Sequence, residues 1–135
     1  MRDLASNIAI RRAIAPVVAA DNTAVVGQVV DGIGFGSVVY AIATGTLADA
    51  DATFTVLLEH SDDDDSGFSA VPDEYLIGTE AAAGFAFDDD AETRKLGYVG
   101  DKRYTRLTIT PAGNSGNAPL AAVAVLGHPR SAPVA

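Results

Sequence analysis

The chain has 135 residues, 48% of them hydrophobic and 20% charged, which is the composition of one folded domain and not of a disordered segment. It contains no cysteine, so a disulfide framework and a thiolate metal site are excluded, and its apolar stretches fall far short of the roughly 20 residues of a membrane-spanning helix. The formal charge is −9: all but Asp3 and Asp101 of the 18 acids lie between Ala13 and Thr93, a span with no Lys or Arg, which argues against nucleic acid as a partner because phosphate contacts need basic side chains.

From Met1 to Ala20 the apolar residues Leu4, Ile8, Ile10, Ile14, Val17 and Val18 follow no clean period, so residues 1–20 are expected to form an N-terminal arm. Arg11-Arg12 before a short apolar run has the outline of a signal segment, but Pro16 interrupts the run and Asp3 lies where a cationic leader should be. Ala24 to Val30 reads as a strand closed by Asp31-Gly32, and Phe35 to Thr44 as a second one. The intervening Gly32-Ile33-Gly34-Phe35-Gly36 is a turn. A phosphate loop would need a helix where this chain has a strand.

Thr53 to His60 alternates so that Phe54, Val56 and Leu58 share one face, the pattern of a half-buried strand. Asp62 to Asp65 follows it. Counted from Asp62, the residues Asp62, Asp64, Ser66 and Asp73 approach calcium-loop spacing, with Gly67 at the turn. Asp73 replaces the usual bidentate Glu, Pro72 precedes it, and strands flank the loop where helices are required, so a solvated turn is the reading preferred over a metal site. Asp88-Asp89-Asp90 is a second acidic cluster, with Arg94, Lys95, Lys102 and Arg103 as the nearby cations to pair with it.

Tyr104 to Thr110 alternates again, with Leu107 and Ile109 facing inward. Gly113-Asn114-Ser115-Gly116 then forms a loop: a nucleophile elbow would place glycine where Asn117 stands. Leu120 to Leu126 is the last strand, apolar on both faces and therefore expected at the centre of a sheet covered on both sides. His60 and His128, the two histidines, are not placed as general bases, so no enzyme activity and no cofactor are expected.

Several stretches together resemble a family of small tailed-phage virion proteins: TFTVLLEHSDDDD from Thr53 to Asp65, Gly67-Phe68-Ser69, LIGTEAA from Leu76 to Ala82, KLGYVGDKRYTRL from Lys95 to Leu107, AAVAVLGHPR from Ala121 to Arg130, and RRAIAP from Arg11 to Pro16. The resemblance implies a capsid decoration or cement protein encoded beside the major capsid protein, located on the virion surface. It also implies a jelly-roll-like β-sandwich. Within it, KRYTRL is similar to a strand of carbohydrate- and lipid-binding sandwich modules.

The combined expectation is an all-β, jelly-roll-like sandwich over residues 21–127, with the N-terminal arm of residues 1–20 and a C-terminal tail of residues 128–135. The expected partners are the major capsid protein and, alternatively, other copies of this chain in a homo-oligomer such as a trimer. Contact residues are expected at Ile8, Ile10, Arg11, Arg12 and Ile14 in the first arm and at His128, Pro129 and Arg130 in the tail. The alternative is a carbohydrate-binding or adhesion module of a tail or fibre, using the loops between Asp62 and Asp90.

Overall fold

The structure, a computed structural model, describes residues 1–134. In chain order its strands are β1 (Ala9–Ala19), β2 (Val25–Val26), β3 (Val30–Asp31), β4 (Phe35–Thr44), β5 (Thr53–Ser61), β6 (Ser69–Ala70), β7 (Leu76–Ile77), β8 (Phe85–Ala86), β9 (Thr93–Tyr98), β10 (Tyr104–Ala112) and β11 (Ala118–Pro129). A one-turn helix, α1 (Glu80–Ala83), is capped by the Thr79 hydroxyl, which accepts from the Ala82 amide at 3.0 Å. Strand makes up 50% of the chain and helix 7%.

The strands form two antiparallel sheets. The first runs β1-β11-β4-β9-β7; the second runs β2-β10-β5-β6, with β3 also on β10 and β8 also on β5. The period of two in the sequence decides what meets between them. Phe54, Val56, Leu58 and His60 of β5 and Thr105, Leu107 and Ile109 of β10 turn inward from one sheet, and Tyr40, Ile42, Leu96, Tyr98, Leu120 and Leu126 from the other. The chain is thus the all-β sandwich that its alternating segments predict.

The boundaries of that sandwich differ from the sequence reading. Ala9–Ala19 is a strand, not an arm: it pairs with β11 from Ala9↔Leu126 to Ala19↔Ala118 and buries Ala9, Ala13, Ile14 and Ala19. Two register shifts, between Arg12 and Ile14 and between Ile14 and Val17, scramble its alternation, and Pro16 is tolerated because β1 is an edge strand. What remains of the arm is residues 1–8. The tail also starts later, because β11 continues through Pro129, which pairs with Phe35.

Past β1 the chain joins the second sheet at β2, and Gly27, the next residue, begins a link between the two sheets. Its amide donates to the Leu107 carbonyl at 2.8 Å, and the next amide, Gln28, donates to the Ala13 carbonyl at 2.7 Å. A side chain on Gly27 would stand 2.5 Å from the Leu107 carbonyl oxygen, so only glycine allows this approach.

Two outcomes test this architecture. Removing residues 1–15 should unfold the domain or lower its melting temperature steeply, since it strips β11 of a paired edge and takes out buried Ala9, Ala13 and Ile14. Tyr40→Phe, which orphans the buried Thr105 hydroxyl 2.6 Å away, should cost about 1 to 3 kcal/mol by chemical denaturation, and much of that should return when Thr105→Val removes the second partner.

Candidate partner-binding surface

Seven of the residues singled out in the sequence converge on one region of the first sheet. Because Ala9 pairs with Leu126, Ile8 at the start of β1 lies across from the end of β11, where His128, Pro129 and Arg130 follow. The Arg130 amide donates to the Gly34 carbonyl and the Val134 amide to the Ser6 carbonyl, both at 2.8 Å, tying the two chain ends to the same end of the sandwich. Ile10, Arg11 and Arg12 are exposed along β1, and Arg12 Nε donates to Gln28 Oε1 at 3.0 Å. Ile14 is the exception: at 5% exposure it belongs to the core and is closed to a partner.

The cations of this region differ from those in mid-chain. Arg94 pairs with Asp89 and Glu92, Lys102 with Asp62 at 2.6 Å, Arg103 with Asp31 at 2.8 Å and Arg106 with Glu59 at 2.9 Å. The Arg103 guanidinium holds the Asp31 carboxyl below its ordinary range. Among the described residues no carboxylate pairs with Arg2, Arg11, Arg12 or Arg130. Arg94, Lys102, Arg103 and Arg106 neutralise acids beside them, whereas Lys95 and the terminal arginines form no ion pair among the described residues.

The calcium spacing does not converge. Asp62 is bound to Lys102, Ser66 contributes its carbonyl to the Ser61 hydroxyl at 2.5 Å, and Asp73 opens a separate 3-10 turn beyond β6. The carboxylates that do approach one another are those of Asp63, Asp64 and Asp65, all exposed. Hydrogen bonding to Asp65 lowers the Asp63 carboxyl, and the same contact with Asp63 raises Asp65. This is the acidic turn the preferred reading describes.

The histidines sit in different settings. His60 is buried, with Nδ1 2.9 Å from the Tyr98 hydroxyl, and that hydroxyl also accepts the Lys102 amide at 3.0 Å. The hydroxyl thus bridges the His60 ring and the Lys102 backbone, and its own proton is free to be donated to Nδ1 when that nitrogen is unprotonated. His128 is exposed at φ 51°, its Nδ1 2.8 Å from Ser37 Oγ.

The feature that sequence reasoning misplaced is the outer face of the first sheet. β11 is central, as expected, but only one of its faces is covered. The register aligns Ile10, Val125, Val39, Gly97 and Ile77 in one row across all five strands, and Arg12, Val123, Ala41 and Lys95 in another. Ile77 is 63% exposed, Ile10 60% and Val123 39%. Beside them a groove of about 380 Å³ runs between Val18, Ala43, Pro119 and Ala121, and a hollow of about 140 Å³ lies between Ala41, Thr93 and Val123. The outer face of the second sheet is polar by contrast, with Thr55 opposite Thr110, Leu57 opposite Thr108 and Glu59 opposite Arg106. The apolar run at 120–126 was the legible signal: a strand apolar on both faces needs two covers, and this domain supplies one.

No family model and no curated protein matches the chain. Among solved structures it is similar to the PBSX exported protein XepA, with a TM-score of 0.59 and 18% identity over 95% of this chain. The chain corresponds to 39% of that protein's length, and the likeness is one of fold. A family two carbohydrate esterase from Cellvibrio japonicus reaches a TM-score of 0.37 at 9% identity, over 95% of this chain and 36% of that one, which is too distant to carry an argument.

The buried histidine makes stability depend on pH. Burial, followed by the nearby Lys102 charge, holds the His60 pKa below its ordinary 6.5, partly opposed by Asp101 and Asp62. The unfolded chain then binds the extra proton more readily, so this contribution is complete above about pH 6.5 and is lost as the pH falls. His60→Gln should flatten the decline in melting temperature between about pH 7 and pH 5; an unchanged slope would show that other groups carry it.

Proposed function

We propose that this chain is a structural protein of a tailed-phage virion, a decoration protein that binds the outer surface of the major capsid protein shell and cements it. The observation that carries the reading is the placement of Ile8, Ile10, Arg11, Arg12 and Arg130 at one edge and end of the first sheet, Ile10 and Arg12 on its outer face and Arg11 on the other side of β1, with arginines free of internal ion pairs on a chain of charge −9. Such a mixed apolar and cationic patch suits a protein partner with acidic groups at its contact. The resemblance to small virion proteins supports the assignment, and so does the fold shared with XepA, a phage-derived protein.

The role is mechanical in this reading. Packaged DNA presses a shell outward, and a protein bridging neighbouring subunits adds buried interface where the shell would open. Catalysis has no part in it: the Ser37 and His128 contact uses Nδ1, the nitrogen that an orienting carboxylate would hold in a serine triad. An adhesion role is less favoured because the aromatics between Asp62 and Asp90 do not form a stacking platform. Phe85 stacks on Phe54 at 4.7 Å in the core, and Phe68 lies under the Arg106 guanidinium at 4.4 Å, leaving Tyr75 and Phe87 exposed on separate segments.

The test is co-sedimentation with purified shells that lack the protein. The full chain should bind, and Arg11→Glu combined with Arg130→Glu should weaken binding about tenfold or more, with the wild-type affinity falling as salt rises. Failure of the intact, folded chain to bind any shell would end the decoration reading and favour adhesion.

A further inference from the structure

We propose that a second copy of this chain covers the outer face of the first sheet, forming a two-fold pair through Val123, Val125, Val39 and Ile77. This goes beyond the shell reading: the pair is held by Val123, Val125, Val39 and Ile77, whereas Arg11 and Arg130 of the cationic end lie outside those rows, and the two surfaces meet at Ile10 and Arg12, which the pair covers.

Three observations select a second copy as the occupant. The first is charge. The aligned rows of the face hold no carboxylate, although the chain carries 18 acids, and its cations Arg12 and Lys95 stand at the flanks of their row with Val123 and Ala41 between them. Two chains of charge −9 repel through most of their surfaces, so the contact open to them is the one that keeps their acids outside it.

The second is area. The five strands run from two residues in β7 to 12 in β11, and an average of about seven residues each, at about 3.3 Å along and about 4.8 Å across, gives roughly 550 Å² of sheet. Two copies then bury about 1,100 Å², above the roughly 1,000 Å² that a specific interface must clear. The third is shape. Ile10, Ile77 and Val18 protrude, while the groove and hollow beside Ala43 and Ala121 recede, so one face offers both the projections and the recesses that a self-complementary contact needs. Small residues at Ala41, Ala43, Ala121 and Gly97 keep the middle of the sheet open to a neighbour.

Sedimentation equilibrium of the full chain, without capsids, tests the pairing. The expected result is a monomer–dimer equilibrium that tightens or holds steady as salt rises, because screening relieves the repulsion between two acidic chains. Val123→Lys should weaken the dimer at least tenfold while Thr55→Glu, on the outer face of the other sheet, leaves it unchanged. Should Val123→Lys fail to fold, the Val123→Thr and Ile77→Thr double variant keeps β-branching at both sites and should give the same weakening. A wild type that stays monomeric to high concentration, a dimer that salt dissociates, or a Thr55→Glu effect equal to that on the first sheet would each overturn the proposal, whether or not the chain binds shells.

Discussion

A two-layer sandwich covers one face of each of its sheets, because side chains alternate along a strand and only every second one points between the layers. In this molecule that constraint falls hardest on β11. Hydrogen-bonded to β1 on one side and β4 on the other, it is an interior strand of the first sheet, one in from the edge, and its register sends Leu120, Ala122, Ala124 and Leu126 into the core. The same register commits Val123 and Val125 to the opposite face. A one-residue slip would exchange the two sets, and it is opposed by the pairing on both sides and by the loss of Leu120 and Leu126 from the core. The identity of the buried core and the character of the exposed face are thus one decision.

The two sheets are held in position by more than apolar contact. Tyr40 of the first sheet meets Thr105 of the second at 2.6 Å, and His60 of the second meets Tyr98 of the first at 2.9 Å. Hydrocarbon packing is tolerant of sliding, whereas a buried hydroxyl separated from its partner costs the full penalty of its lost hydration. These two contacts, each between a tyrosine of the first sheet and a polar side chain of the second, fix the relative placement of the sheets. Burial raises the pKa of both tyrosine hydroxyls, which favours their neutral form.

How legible each part was follows from whether local pattern or long-range pairing decides it. β5 and β10 lie along one sheet with a regular pleat, so their inward residues could be read directly from alternation. β1 could not be read this way, since two bulges shift its phase and Pro16 suggests a break; its strand identity comes from β11, more than a hundred residues away in the chain. The contact segments were chosen because their apolar residues seemed to have no home in the core. That held for Ile8 and Ile10 and failed for Ile14, which the first bulge turns inward. The calcium spacing was visible in the sequence, but its residues do not come together in the fold, because the backbone bends Asp62 toward Lys102 and carries Asp73 into another turn.

Charge placement links the two surfaces. Four of the five mid-chain cations, Arg94, Lys102, Arg103 and Arg106, are consumed locally, each bound to an acid that the fold brings beside it, and among the described residues this leaves Lys95 and the arginines near the chain ends without an ion pair. One small patch of arginine and isoleucine is a weak anchor by itself, because exposed ion pairs contribute about 0 to 1 kcal/mol each and salt screens them. A pair of chains joined through the apolar face covers Ile10 and Arg12 but carries two copies of Arg11 and Arg130 on one rigid body. Once the first patch is engaged, the second meets its site at an effective concentration set by the dimer's geometry, and the combined hold exceeds either contact alone without any new interaction. The apolar face and the cationic end then answer one physical problem, which is how a strongly acidic domain of modest size can hold firmly to anything.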